Sequence, residues 1–162
     1  MKTESSDIID DVVIRHLSIF KDKRGWLAEL FRQDELESQF YPVMSYMSMS
    51  RPGEVRGPHE HAGQADLLAF VGPSTFRCYL WDNRRLSPTY ENHFAIDLGE
   101  KRPALVRVPP GVVHAYKNIG RVDGLVFNAP NQLYRGPGRT GSVDEIRHEL
   151  DPKSPFKVPG AG

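Results

Sequence analysis

The sequence predicts an all-β barrel folded as a single domain, and three observations carry that expectation. Short β-branched and aromatic runs recur at spacings of about ten residues, punctuated by glycine and proline, as in a sandwich or barrel. The 162 residues suit one domain that buries a core of its own. Two histidine-bearing segments lie far apart in the chain, and a barrel is the fold that would bring them together.

Composition excludes several classes. Lysine plus arginine and aspartate plus glutamate balance at 21 each, so neither nucleic acid nor an anionic membrane is an expected partner. The single cysteine, Cys78, sits in an alternating apolar run and reads as a buried free thiol in a reducing compartment. No apolar leader follows Met1 and no run approaches membrane-spanning length, so a soluble, cytoplasmic protein is expected.

Residues 1–10 are polar and acidic and are expected to fray; 11–134 form the barrel; 135–162 form a turn-rich extension packed on it. The first strand is expected over 11–20, a turn over 21–25, a second strand over 26–32 and a helical turn over 34–40. Residues 43–50 alternate most clearly. Val43, Ser45, Met47 and Met49 share one face, Met44, Tyr46, Ser48 and Ser50 the other. The methionine stripe predicts a core-facing side; the alternative is that the serine-bearing face lines a cavity. Runs at 66–71 and 74–82 read as a hairpin turned at Gly72-Pro73, with Phe76, Cys78 and Leu80 on one face. Strands at 93–98, 104–108, 112–116 and 124–128 continue the series, and 143–150 reads as a helical turn.

The segment G-E-V-R-G-P-H-E-H-A-G-Q-A-D, from Gly53 to Asp66, places His59 and His61 on one face of a strand and follows them with a carboxylate. Downstream, P-P-G-V-V-H-A-Y-K-N carries His114. Three imidazoles and a carboxylate can bind a divalent metal (Zn, Ni, Fe or Mn) through His59, His61, Asp66 and His114. No organic cofactor is indicated. The alternative is a polar interior that binds substrate without metal.

These two segments resemble the paired motifs of the cupin superfamily: a glycine, a histidine pair and an acid, then P-x-G-x-x-H-x-x-x-N from Pro109 to Asn118. Asp66 stands where cupins carry glutamate. The resemblance implies a cupin jelly-roll β-barrel. A wider likeness runs through D-K-R-G-W-L-A-E-L-F (22–31), S-M-S-R-P-G-E-V-R-G-P-H (48–59), Q-A-D-L-L (64–68), W-D-N-R-R-L-S-P-T-Y (81–90) and V-P-P-G-V-V-H-A-Y (108–116). Here the chain is similar to the dTDP-4-dehydrorhamnose 3,5-epimerases and related sugar-nucleotide isomerases, dimeric cupins that move protons beside a 4-keto group.

That likeness implies roles where positions match. Arg24 and Glu29 fall at nucleotide contacts made partly across the homodimer; Ser48, Arg56 and Arg84 fall at substrate-binding positions, with Arg56 meeting the diphosphate. His59 falls at the general base, Asp82 and His114 at active-site positions, and Tyr134 at a tyrosine of the family's site. The departures are as specific. The lysine expected to steady the enolate is Asp66, the proton-donating tyrosine is Asn128, and an asparagine of the family is Tyr46. His61 stands where the 3,5-epimerases are often aromatic, and its pairing with His59 is similar to the histidine pair of the 3,4-ketoisomerases. A metal on the four-residue set could stand in for the lysine, at the cost of His59 as base; Tyr116, Tyr134 and Tyr46 then become candidates. Three alternatives stay open: a metal-free ketoisomerase, a metal cupin such as an oxygenase acting on another small substrate, and a non-catalytic sugar-nucleotide binder.

Overall fold

The computed structural model describes residues 3–5 and 8–160. Its strands are β1 (Thr3–Ser5), β2 (Val13–His16), β3 (Ile19–Asp22), β4 (Gly25–Ala28), β5 (Tyr46–Ser50), β6 (Val55–Glu60), β7 (Asp66–Phe70), β8 (Thr75–Asp82), β9 (His93–Gly99), β10 (Ala104–Val108), β11 (Val112–Asn118), β12 (Gly124–Asn128) and β13 (Ile146–Arg147). Two antiparallel sheets face each other: a six-stranded one in the order β1-β2-β10-β7-β12-β5 and a five-stranded one in the order β13-β6-β11-β8-β9. The short β3–β4 hairpin stands apart as a third sheet.

The alternation along β8 builds the core. Phe76, Cys78 and Leu80 are fully buried, while Arg77 points out and pairs with Asp97 at 2.6 Å. Phe70, Phe76 and Tyr116 meet mutually with ring centroids 5.7–5.8 Å apart, contributed by β7, β8 and β11. Burial pushes the Cys78 thiol up to about 12, which keeps it an inert apolar filler.

Five sequence expectations need correction. The runs at 66–71 and 74–82 are not a hairpin: β7 pairs with β10 and β12, β8 with β9 and β11, and Gly72-Pro73 carries the chain from one sheet to the other. The physical reason is that all five residues of β7 are buried, so this strand must be covered on both faces. Leu68 and Phe70 face the core, whereas Leu67 and Ala69 join a second apolar cluster with Leu17 and Leu105, covered by Leu30, Phe31 and Leu36. The segment expected as one strand over 11–20 is two strands, broken where the Leu17 amide donates to the Pro103 carbonyl. The strand expected over 26–32 ends at Ala28.

The methionine stripe is the fourth correction. Met47 and Met49 are 63% and 46% exposed, so the face of β5 that carries Ser48 and Ser50 turns inward instead, with Tyr46 on the same face at the rim of the cavity, 47% exposed. Finally, 143–150 contains strand β13, paired with β6, before a single 3-10 turn at His148–Leu150. At the N-terminus Thr3–Ser5 pairs with β2, and Ile9 is fully buried in the core, so packing begins before residue 11. The expected fraying otherwise concerns residues 1, 2, 6 and 7, which lie outside the described residues.

Candidate functional site

The histidines come together from one sheet, and a carboxylate joins them from the other. His59 on β6 is the direct cross-strand partner of His114 on β11, and their rings lie 4.5 Å apart, edge to face. His61 follows just beyond β6, its ring 5.8 Å from each of the other two. Ring-nitrogen atoms of all three lie within 4.8 Å of one another. Asp66 opens β7 in the facing sheet and reaches across: its Oδ2 is 3.2 Å from His61 Nε2 and 3.3 Å from His114 Nε2.

The hydrogen bonds around this cluster fix its chemistry. His114 Nδ1 faces the Val112 carbonyl at 3.1 Å, and His61 Nδ1 faces the Asp144 carbonyl. A carbonyl accepts only, so both Nδ1 atoms carry hydrogen and both Nε2 atoms of the neutral rings present lone pairs to Asp66. The other carboxylate oxygen, Oδ1, accepts from Gln64 Nε2 at 2.9 Å and Asn128 Nδ2 at 3.1 Å. Oδ2 and His114 Nε2 are buried without a hydrogen-bond partner among the described residues. Lone pairs aimed at a buried carboxylate require a positive charge between them, a proton or a cation.

In the metal-free protein Asp66 favours a charged His61. Burial opposes its charge, yet the hydrogen bond and the charge of Asp66 outweigh burial and raise it above 6.5. Burial would raise Asp66, but His114 and His61 hold it well below the usual carboxylate range. His59 goes the other way. Burial first, then the neighbouring His114 and His61, push it down to about 2, so it stays neutral with a lone pair available.

This has a consequence for stability. Below pH 6.5 the unfolded chain protonates His59 and the folded chain does not, so stability falls with pH, by up to about 1.4 kcal/mol per unit. His61, raised, acts only above that range and with opposite sign. The urea midpoint of metal-free protein is therefore expected to drop between about pH 6.5 and 4.5, and His59→Asn should flatten that slope.

Among the histidines of the cluster, His59 lines a cavity of about 580 Å³, shared with Tyr46, Ser48, Arg56, Tyr116 and Asn128. Tyr116 Oη and Ser48 Oγ bond at 2.9 Å, and Asn128 Nδ2 donates to Tyr46 Oη at 2.8 Å. Arg56 is held by neutral groups, donating to Ser50 Oγ at 3.2 Å and to the Met49 carbonyl at 2.9 Å, which leaves its charge available to an anion.

Other expected site residues lie elsewhere. The Asp82 carboxylate is 1% exposed and saturated by Arg84 at 2.8 Å, Ser87 at 2.6 Å and Thr89 at 2.6 Å, and Arg84 also donates to the Asp10 carbonyl at 2.7 Å. The D-N-R-R-L-S-P-T-Y stretch is thus a closed knot outside the cavity lining. Arg24 has its side chain 84% exposed in the β3–β4 turn, paired with Asp22, and Glu29 lies 4.0 Å from Arg32. Tyr134 is half-exposed and absent from the cavity wall.

Sequence reading missed the C-terminal wall. Arg147, His148, Phe156 and Lys157 line the cavity. The Asp144 carboxylate accepts from the amides of Ala62, Gly63 and Gln64 at 2.7, 2.8 and 2.8 Å, clamping the turn that follows His61. The residues carried no strand signal: Val143, Ile146 and Leu150 recur at i, i+3 and i+7, the spacing of a helix.

Two facing antiparallel sheets around a histidine-lined polar cavity define a cupin jelly-roll barrel with a small-molecule site. The chain belongs to the dTDP-4-dehydrorhamnose 3,5-epimerase family, a family of isomerases, whose sequence model matches residues 6–137. It is 39% identical over 128 residues to the probable low-salt glycan biosynthesis epimerase Agl13 of Haloferax volcanii, covering 78% of this chain and 81% of that protein. It is 34% identical over 113 residues to the spore coat polysaccharide biosynthesis protein SpsL of Bacillus subtilis, covering 70% and 74%. A dTDP sugar isomerase from Desulfovibrio desulfuricans superposes with a TM-score of 0.79 at 25% identity, over 100% of this chain and 97% of that one.

Proposed function

We propose that this chain epimerises a dTDP-linked 4-keto sugar, with His59 as the base that takes the proton beside the ketone. The observation that carries the reading is the position of His59: its imidazole matches the family's base and opens onto the cavity while His61, Asp66 and His114 sit behind it. A ketone acidifies the neighbouring C–H, and the base needs a lone pair near it. Arg56 meets the diphosphate, and Ser48, bonded to Tyr116, supplies a polar contact to the sugar.

A homodimer completes the picture. Arg24 and Glu29 lie away from this protomer's cavity, in or beside a hairpin whose Phe20, Trp26 and Leu27 are exposed. Pairing of two protomers would cover that apolar surface and bring those charges to the partner's nucleotide. Asp82 and Arg84 act as scaffold, holding the loop between β8 and β9.

The inner cluster fits a divalent cation. His61, His114 and Asp66 would hold it, since two Nε2 lone pairs and an unpartnered carboxylate oxygen converge there. When bound, such an ion supplies Lewis acidity and a fixed positive charge where the family's lysine is replaced by Asp66. His59 is left out of this set because a coordinated ring has no lone pair for substrate. Elemental analysis of untagged, chelator-free protein is expected to give near-stoichiometric Zn, Ni, Fe or Mn that falls in His61→Ala. Protein that stays metal-free after reconstitution overturns the metal assignment and leaves the proton on His61.

The catalytic reading is tested by incubating the protein with dTDP-4-dehydrorhamnose in deuterium oxide. Deuterium is expected at the carbons flanking the ketone; a sugar that binds and gains none would leave only a binding protein, and oxygen uptake with Fe(II) would point to an oxygenase.

A further inference from the structure

Epimerisation needs two proton-bearing groups, one on each side of the reacting carbon, and only the base has been placed. We infer that Tyr46 is the general acid, delivering its proton from the sheet opposite His59; the inference rests on the epimerase reading above. His59 stands on β6 of the five-stranded sheet, Tyr46 on β5 of the six-stranded sheet, and both line the same cavity. A sugar carbon held between them loses a proton to one sheet and regains one from the other.

The hydrogen bonds orient the phenol for this task. Asn128 is the cross-strand partner of Tyr46. Its amide nitrogen, and not its oxygen, must face Asp66, because a carboxylate only accepts; the same Nδ2 therefore donates to Tyr46 Oη at 2.8 Å. With its oxygen accepting from Asn128, the phenol's own hydrogen is left for the cavity. The amide donor also steadies the phenolate left once the proton departs. Burial and the nearby Asp66 push the Tyr46 hydroxyl up to about 12, so it is protonated at neutral pH and arrives as an acid.

The other tyrosines fail on position. Tyr116 bonds Ser48 and stands on β11, in the same sheet as His59, so it approaches from the base's side. Tyr134 does not line the cavity. The pairing also accounts for two sequence departures together: Asn128 stands where a tyrosine was expected and Tyr46 where an asparagine was expected, and these two residues face each other across β12 and β5. The hydroxyl has crossed the strand pair while staying in the cavity.

The step balances without a redox partner. The C–H bond breaks toward the base, its electron pair forming the enolate C=C as the carbonyl electrons move onto oxygen. The ketone then reforms as a new C–H bond takes the phenol's proton and the O–H pair remains on the phenolate. Solvent returns a proton to the phenolate and accepts one from the base.

Tyr46→Phe with dTDP-4-dehydrorhamnose in deuterium oxide tests this. Deuterium entry from the base side should persist within a few-fold of wild type, while inversion at carbon falls about a hundred-fold or more. Combining Tyr46→Asn with Asn128→Tyr should recover inversion at least about ten-fold over Tyr46→Asn alone, because the hydroxyl returns from the paired position. Inversion by Tyr46→Phe at near the wild-type rate overturns the assignment, and so does equal loss of exchange and inversion in a variant with unchanged circular dichroism. Wild-type protein that exchanges nothing overturns the epimerase reading itself, a distinct outcome from the first two.

Discussion

His59→Asn is expected to lower deuterium entry into dTDP-4-dehydrorhamnose by about a hundred- to ten-thousand-fold, the usual contribution of a positioned acid or base. Affinity for dTDP should change little, because Arg56 and the cavity wall remain. The replacement keeps a polar side chain beside His114 and removes only the basic nitrogen. Its expected size follows from the site having no substitute on that side. His61 and His114 have their Nδ1 atoms committed to backbone carbonyls and their Nε2 atoms turned toward Asp66, and Tyr116 is a phenol held protonated chiefly by burial. A variant that exchanges deuterium at the wild-type rate would move the base elsewhere. Nitrogen chemical shifts of His59 would independently show a neutral ring in the parent protein.

Gly57→Ala is expected to damage both fold and site. Gly57 has φ +83°, a conformation costing an L-residue about 1–2 kcal/mol, and an added Cβ would lie 2.6 Å from the His114 carbonyl oxygen and 3.1 Å from His59 Nδ1. The oxygen belongs to backbone paired in the sheet, so it yields only by opening the β6–β11 ladder where His59 and His114 face each other. A loss of about 2–4 kcal/mol in urea unfolding is expected, with deuterium exchange reduced even where the variant is folded. The glycine therefore sets the approach of the two strands that bring the histidines together. Unchanged stability and activity would remove it from that role.

The legible part of this protein was its period-two signal and its histidines. Alternation along β8 placed Phe76, Cys78 and Leu80 inside, and the spacing of His59, His61, Asp66 and His114 put them in one cluster. What local pattern could not give was partnership. A continuous apolar run such as β7 looks the same whether it turns back as a hairpin or crosses to the other sheet, and only covering both its faces decides the matter. Met47 and Met49 were misplaced for a related reason: alternation says that two faces differ, not which one turns inward, and on β5 the polar face lines a cavity. Asp82 and Arg84 carried a family-like motif whose side chains satisfy one another. The wall from Asp144 to Val158 left no strand signal, because backbone capping and a two-residue strand ask little of side-chain identity.

In the proposed reaction one carbon of a sugar nucleotide sits between His59 and Tyr46. A crystal structure of the protein with dTDP-4-dehydrorhamnose tests it most directly. The sugar ring is expected between those two side chains, the diphosphate against Arg56, and the pyranose face nearer β6 presenting its C–H to the His59 ring. Sugar density in the cavity of about 450 Å³ on the outer face, beside Arg15 and Arg107, or a ring beyond reach of either side chain, would contradict it.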